Sequence, residues 1–157
     1  MEKENNKTMK PGKRPEMNSI PKSRFSGTHG RLTSVMEFVR RVLDATDIST
    51  KKMTFFISRT VKQGDAIGTQ VRLPSEYRFN IYDFATTLVH EAIHAEDCEK
   101  NRWHDLERES IEELTRAREA SLRPAVKAVL TEKELNNWEA YMQEIRKFRE
   151  SLSGKGN

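Results

Sequence analysis

The sequence predicts a small α+β domain, with a short mixed sheet and a set of packed helices, and three observations predict it. Only 35% of the 157 residues are apolar while 33% are charged, a balance that suits helices with long solvated faces better than a large buried sheet. Two short runs between residues 53 and 73 are rich in aromatic and β-branched residues, which is the composition of strands. Beyond residue 80 the apolar residues recur at three- and four-residue spacing, the period of amphipathic helices. At this length a single domain with one core is expected.

Residues 1 to 30 read as a flexible basic tail and residues 31 to 157 as the domain. Residues 1 to 31 hold eight basic residues against three acidic ones, +5 of the chain's net +4, so the rest is slightly acidic. Pro11, Pro15, Pro21, Gly12, Gly27 and Gly30 are scattered through a stretch with few apolar residues, which cannot offset its own ordering entropy. Such a tail can solubilise the protein, or steer it to nucleic acid or an acidic partner.

Leu32, Val35, Met36, Val39, Val42 and Leu43 then mark one amphipathic helix. Met53 to Ser58 reads as a strand, Gly64-Asp65 as a turn, and Ile67 to Leu73 as a second strand ended by Pro74. A helix starts near Asn80, a suitable N-cap with Asp83 three residues on; its apolar stripe is Ile81, Phe84, Ala85, Leu88, Ala92 and Ala95. After Trp103 a further helix is indicated from about Asp105 to Leu122, where Pro124 forces a break or a kink. Thr131 and Glu134 stand in capping-box spacing ahead of a last long helix carrying Leu135, Trp138, Met142, Ile145 and Leu152.

The motif helix holds the chemistry. His90-Glu91-Ala92-Ile93-His94 sets two imidazoles about 6 Å apart on one helix flank, where each can give a nitrogen to one Zn²⁺. Glu91 projects from a neighbouring angle and reaches a water at an open metal position, so its predicted role is general base. This H-E-x-x-H run is the signature of the zincin metallopeptidases. It predicts one zinc per chain, held by His90, His94 and a third ligand.

For that third ligand Asp97 lies about 10 Å of axial rise beyond His90, which suits a supporting partner or a surface charge. The next helix offers Glu109, Glu112 and Glu113, and the loop before it His104. If Leu106, Ile111, Leu114, Ala117, Ser121 and Leu122 form the packed face, Glu113 flanks it at roughly 200° from Ile111 and Glu112 stands on the wet face at roughly 100°. Phase therefore favours Glu113, with Glu112, Glu109 and His104 as alternatives. His104, Tyr82 and Tyr141 are oxyanion candidates by residue type.

The stretch Thr87 to Ala95, with Asp97-Cys98, Trp103 and Glu113-Leu114, resembles the active-site region of the mitochondrial ATP-synthase-assembly metallopeptidases, over about 30 residues. This chain has none of that family's other cysteines, so its disulfides and compartment do not transfer. More loosely the chain looks like gluzincin-type domains of the ImmA/IrrE kind, which place a glutamate on the helix after the motif. It is also similar to the SprT/Spartan-like DNA-repair proteases; these use a third histidine, for which His104 is the counterpart, although Asp105 replaces the glycine expected after it. In zincins the strand before the motif helix is commonly an exposed edge that binds extended substrate, so the resemblance implies that role for Gln70, Val71, Arg72 and Leu73.

The expectation is a zinc-dependent endopeptidase of the gluzincin type acting on a protein or peptide. A non-catalytic zinc-bound module, engaging nucleic acid or a protein through its tail, is the alternative. No apolar run approaches the length of a membrane helix, and the N-terminus lacks a secretory core. With Cys98 as the sole cysteine, a cytoplasmic protein without disulfides is expected.

Overall fold

Among the described residues, alternating burial over short runs builds the sheet, and burial at helical spacing builds four helices around it. The computed structural model describes residues 20–27, 32–75 and 81–155. In chain order a short 3-10 turn leads into β1 (Phe25–Gly27), followed by α1 (Leu32–Asp44), β2 (Thr54–Ser58), β3 (Asp65–Ile67) and β4 (Gln70–Pro74). Three long helices complete the chain: α2 (Ile81–Glu99), α3 (Arg108–Ala128) and α4 (Glu132–Lys155). The α+β class is as predicted.

The sheet order is β1-β2-β4-β3. β1 and β4 both run parallel to β2, and β3 runs antiparallel to β4, so the sheet is mixed. Register aligns Phe25 with Phe55 and Phe55 with Val71, which gathers the apolar side chains on one face as a period of two requires. On the other face Arg72 reaches across to Asp65 with two bonds, Nε–Oδ1 at 2.7 Å and Nη2–Oδ2 at 2.8 Å.

Two sequence expectations change here. The run from Ile67 to Leu73 is a hairpin, not one strand, because Gly68 takes a φ of +60° and the chain reverses over Gly68-Thr69 between the paired residues Ile67 and Gln70. A two-residue hairpin needs such a positive φ at its first central position. As a result Gln70, Val71, Arg72 and Leu73 form an interior strand paired on both sides, not the exposed edge. The edge beside α2 is β3.

The tail boundary also moves. Ile20 and Phe25 are buried, Phe25 stacks on Phe55 with ring centroids 5.1 Å apart, and Arg40 Nε donates to the Ile20 carbonyl at 2.7 Å. Arg24 turns inward to the carbonyls of Thr50 and Met53. Residues 20–27 therefore belong to the domain; Gly27, at φ +125°, is needed because a Cβ there would lie 1.8 Å from the Ile57 carbonyl oxygen. The remainder of the expected tail lies outside the described residues.

One hydrophobic cluster joins the inner sheet face to α1, α2 and the start of α4. The stripe read for α2 is buried as expected, and Val89 and Ile93 widen it. The expected N-cap Asn80 lies outside the described residues, but Asn137 of α4 supplies a cap across the fold, its Oδ1 accepting the Ile81 N–H at 2.9 Å. The Thr131–Glu134 capping box forms in both directions, at 2.9 and 3.2 Å. Trp138 packs edge-on to Tyr82, with centroids 4.5 Å apart. α3 runs through Pro124 to Ala128 without stopping; Val126, buried at 2% exposure, holds its last turn in the core. No helix among the described residues is long and apolar enough to cross a membrane.

Candidate metal centre

His90 and His94 stand on the flank of α2 beside its apolar stripe, and α3 comes back across them. The return is built by the loop after α2. Asp97 accepts from Arg102 Nη1 at 2.9 Å and from the Trp103 indole Nε1 at 3.0 Å, which holds Asn101 and Trp103 at left-handed φ values of 56° and 58°. A bulky residue takes that backbone only under outside constraint. Both Asp97 carboxylate oxygens thus serve the chain reversal.

α3 turns its polar side to α2. Among its described residues Thr115, Glu119 and Val126 are buried, whereas Leu114, expected inside, is 42% exposed; Leu106, also expected inside, is 39% exposed and lies in the loop before the helix. This corrects the helical phase and, with it, the third ligand. Glu112, not Glu113, meets the imidazoles: its Oε1 lies 3.0 Å from His90 Nε2 and its Oε2 3.0 Å from His94 Nε2. Glu113 and Glu109 are exposed on other sides of the helix. His104 is exposed in the loop, where its Nδ1 is 3.4 Å from the Asn101 carbonyl oxygen. Tyr82 stacks on Tyr141, centroids 5.2 Å apart, in the α2–α4 contact and so away from the cluster.

His90, His94 and Glu112 offer ligand atoms that all lie within 4.8 Å of one another. This group can hold a metal ion. The rings of His90 and His94 are 4.9 Å apart and nearly perpendicular, so both Nε2 atoms converge on the same carboxylate.

Glu119, a further polar position along α3, reads from the sequence as a wet-face residue beside Glu112 and Arg123, not as part of the site. It is 8% exposed, with Oε1 3.8 Å from His90 Nδ1, an ion-pair distance, and Oε2 held by Arg123 at 3.1 Å. The signal for it is the spacing Glu112, Thr115, Glu119, Arg123, a polar stripe at helical period.

Charge in the cluster is uneven for physical reasons. Glu119 facing its ring raises the pKa of His90 above the ordinary imidazole value, against burial. Burial pushes His94 below that value, with the neighbouring His90 adding to the fall, although Glu112 and, more weakly, Asp97 pull the other way. Burial also opposes the charge of Glu112, but His94 and His90 outweigh it and hold the carboxyl below its usual range. Glu91, adjacent to His90, is driven up to about 7 by burial, with Glu112 and Asp65 adding to the rise and His90 opposing it. A carboxyl poised there exchanges protons readily at neutral pH.

The His90 side of the cluster borders a cleft of about 570 Å³ lined by His90, Glu91, Glu119, Asp83, Thr86 and Thr87 on the helices and by Lys62, Gln63, Gly64 and Pro74 on the sheet side. Gly64 crosses α2 so closely that a Cβ would lie 2.3 Å from Thr87 Cγ2, bringing the start of β3 against the helix one turn before the histidines. No protein-family model, curated protein or solved structure matches the chain.

Proposed function

We propose that the chain is a small zinc-dependent endopeptidase of the gluzincin type. The observation that carries this reading is the single Glu112 carboxylate meeting both Nε2 atoms at 3.0 Å, with Glu91 beside them in an open cleft. Two imidazoles and one carboxylate are a catalytic zinc donor set. The three ligand atoms lie within 4.8 Å of one another, and tetrahedral zinc with bonds of about 2.0–2.2 Å would draw them to about 3.3–3.6 Å.

His90, His94 and Glu112 would hold the ion, and Glu119 would fix the orientation of His90 through its Nδ1, as carboxylates behind ligating histidines do. Zinc bound there would bring a water's pKa to about 7 and polarise a peptide carbonyl. Glu91 takes the proton from the attacking water and returns it to the leaving amine. The cleft is bounded by the segment leading into β3, so the edge role passes to β3: an extended peptide adds antiparallel to an edge strand through main-chain hydrogen bonds.

The same 3.0 Å contacts also support a metal-free bridge in which Glu112 accepts an N–H from each imidazole. Metal analysis separates the two. The purified chain should contain about one zinc, and unfolded casein should be cleaved in a chelator-sensitive way. Glu91→Gln should keep the zinc and lose activity by roughly 100-fold or more. Absence of zinc in protein expressed with zinc present, or a fully active Glu91→Gln variant, sinks the reading.

A further inference from the structure

The half of α3 that carries Glu112 has no fully buried apolar residue to hold it in place, Ile111 being only half-buried. Its buried residues there are Thr115 and Glu119, and Thr115 spends its hydroxyl on its own helix, donating to the Ile111 carbonyl at 2.9 Å. The buried apolar residue, Val126, is 14 positions from Glu112, about 21 Å along the axis. Dispersion contacts at that end cannot set the advance of α3 past α2 to the fraction of an ångström that a ligand needs.

Besides the Glu119–His90 pair at 3.8 Å, one shorter directional contact among the described residues stands near enough to do so. Glu96, two residues past His94 on α2, is 2% exposed and accepts the Ser49 N–H at 2.7 Å. Arg118 of α3 donates through Nη1 to Glu96 Oε1 and through Nη2 to Asp47 Oδ1 at 3.0 Å. Lys100 and Arg102 stand farther from Glu96, at 3.6 and 3.4 Å. Arg118 therefore joins α3 both to α2 and to the segment after α1. It sits six residues from Glu112, about 9 Å along a stiff helix.

We propose that the Glu96–Arg118 pair is the register pin of the metal site, with Arg118 the positioning residue that holds Glu112 against His90 and His94. This rests on the metal reading above. Without the pin, α3 is free to slide or roll between its polar and its leucine-bearing faces, and either movement withdraws Glu112. Removing Arg118 also leaves Glu96 buried with weaker partners, which drives the helices apart rather than letting them settle in place.

The test is zinc affinity of the full chain, measured by competition with a chromophoric chelator, alongside the melting temperature of the metal-free protein. Arg118→Met should raise the zinc dissociation constant about 10–100-fold, the range for groups that orient ligands, and Arg118→Lys should restore part of the loss. Arg41→Met, which breaks the Arg41–Glu134 pair between α1 and α4, is the control: it should lower the melting temperature yet leave zinc affinity within about twofold, as distant sites act independently. If Arg118→Met lowers only the melting temperature, the pair is merely structural and the pin is overturned. Should Arg118→Met fail to fold, Arg118→Lys decides alone; weakened zinc binding supports the pin, and wild-type affinity overturns it. If the wild type takes no zinc, or His90→Ala takes as much as wild type, the metal reading itself fails.

Discussion

The two helices that build the centre meet through opposite kinds of face. α2 buries Ile81, Phe84, Ala85, Leu88, Ala92 and Ala95 in the core and keeps His90, Glu91 and His94 on its half-buried flank. α3 leaves Leu114 in solvent and presses Glu112, Thr115 and Glu119 inward. The first arrangement follows from transfer of apolar surface out of water. The second follows from the first: a flank already carrying two imidazoles and a carboxylate accepts a neighbour only if that neighbour satisfies those groups. Where a helix packs on a polar site, complementarity to the site overrides its own apolar periodicity.

The sharpest break of this comparison is between adjacent glutamates. The binding free energy of a structural zinc site, about 10–16 kcal/mol, is shared among its ligands, so Glu112→Ala should weaken zinc binding by on the order of 1,000-fold. Glu113→Ala should leave it unchanged. Chelator competition on both variants reads the difference, and the reverse result would restore the apolar phase of α3.

A leucine on each helix gives the next effect. Leu88 is fully buried and Leu114 is 42% exposed, so Leu88→Ala should cost about 2–5 kcal/mol in urea unfolding, while Leu114→Ala should stay within about 0.5 kcal/mol. A large loss at Leu114 would mean that its face is packed after all.

The polar flank of α2 should show in the pH dependence of the metal-free protein. With its folded pKa at about 7 against an ordinary 4.5, Glu91 keeps its proton in the fold while the unfolded chain releases it. Stability therefore falls as pH rises from 4.5 to about 7 and is level in this respect above. Glu91→Gln removes that loss, so its gain in melting temperature should be near zero at pH 4.5 and full at pH 8. Equal gains at both values would show that Glu91 is not titrating in that window. The smallest effect is expected where both helix ends are local: Thr131→Ala removes one side of the α4 capping box and should cost about 1 kcal/mol by thermal melting.

The elements of the chain were legible wherever local chemistry dominates. The α+β class, the span of α1, the stripe of α2, the capping box at Thr131 and the end of β4 at Pro74 follow from period, caps and proline stereochemistry, all of which act within a few residues. The pairing of His90 with His94 is equally local, because a helix brings i and i+4 together wherever it sits. Three features were not legible for the opposite reason. The expected edge strand becomes an interior one because β4 finds β2 as its parallel partner, a pairing between segments well apart in the chain. Residues 20–27 look like tail by composition, yet the open side of β2 receives Phe25 and Gly27. The facing of α3, and hence the identity of Glu112 and Glu119 at the centre, is set by what α2 exposes to it. Sequence by itself determined the helices, the strand β2 and the two histidines, since short-range sterics and hydrogen bonds fix those; only the tertiary structure decided which carboxylate completes the site, since a helix's rotation about its axis is chosen by its neighbour.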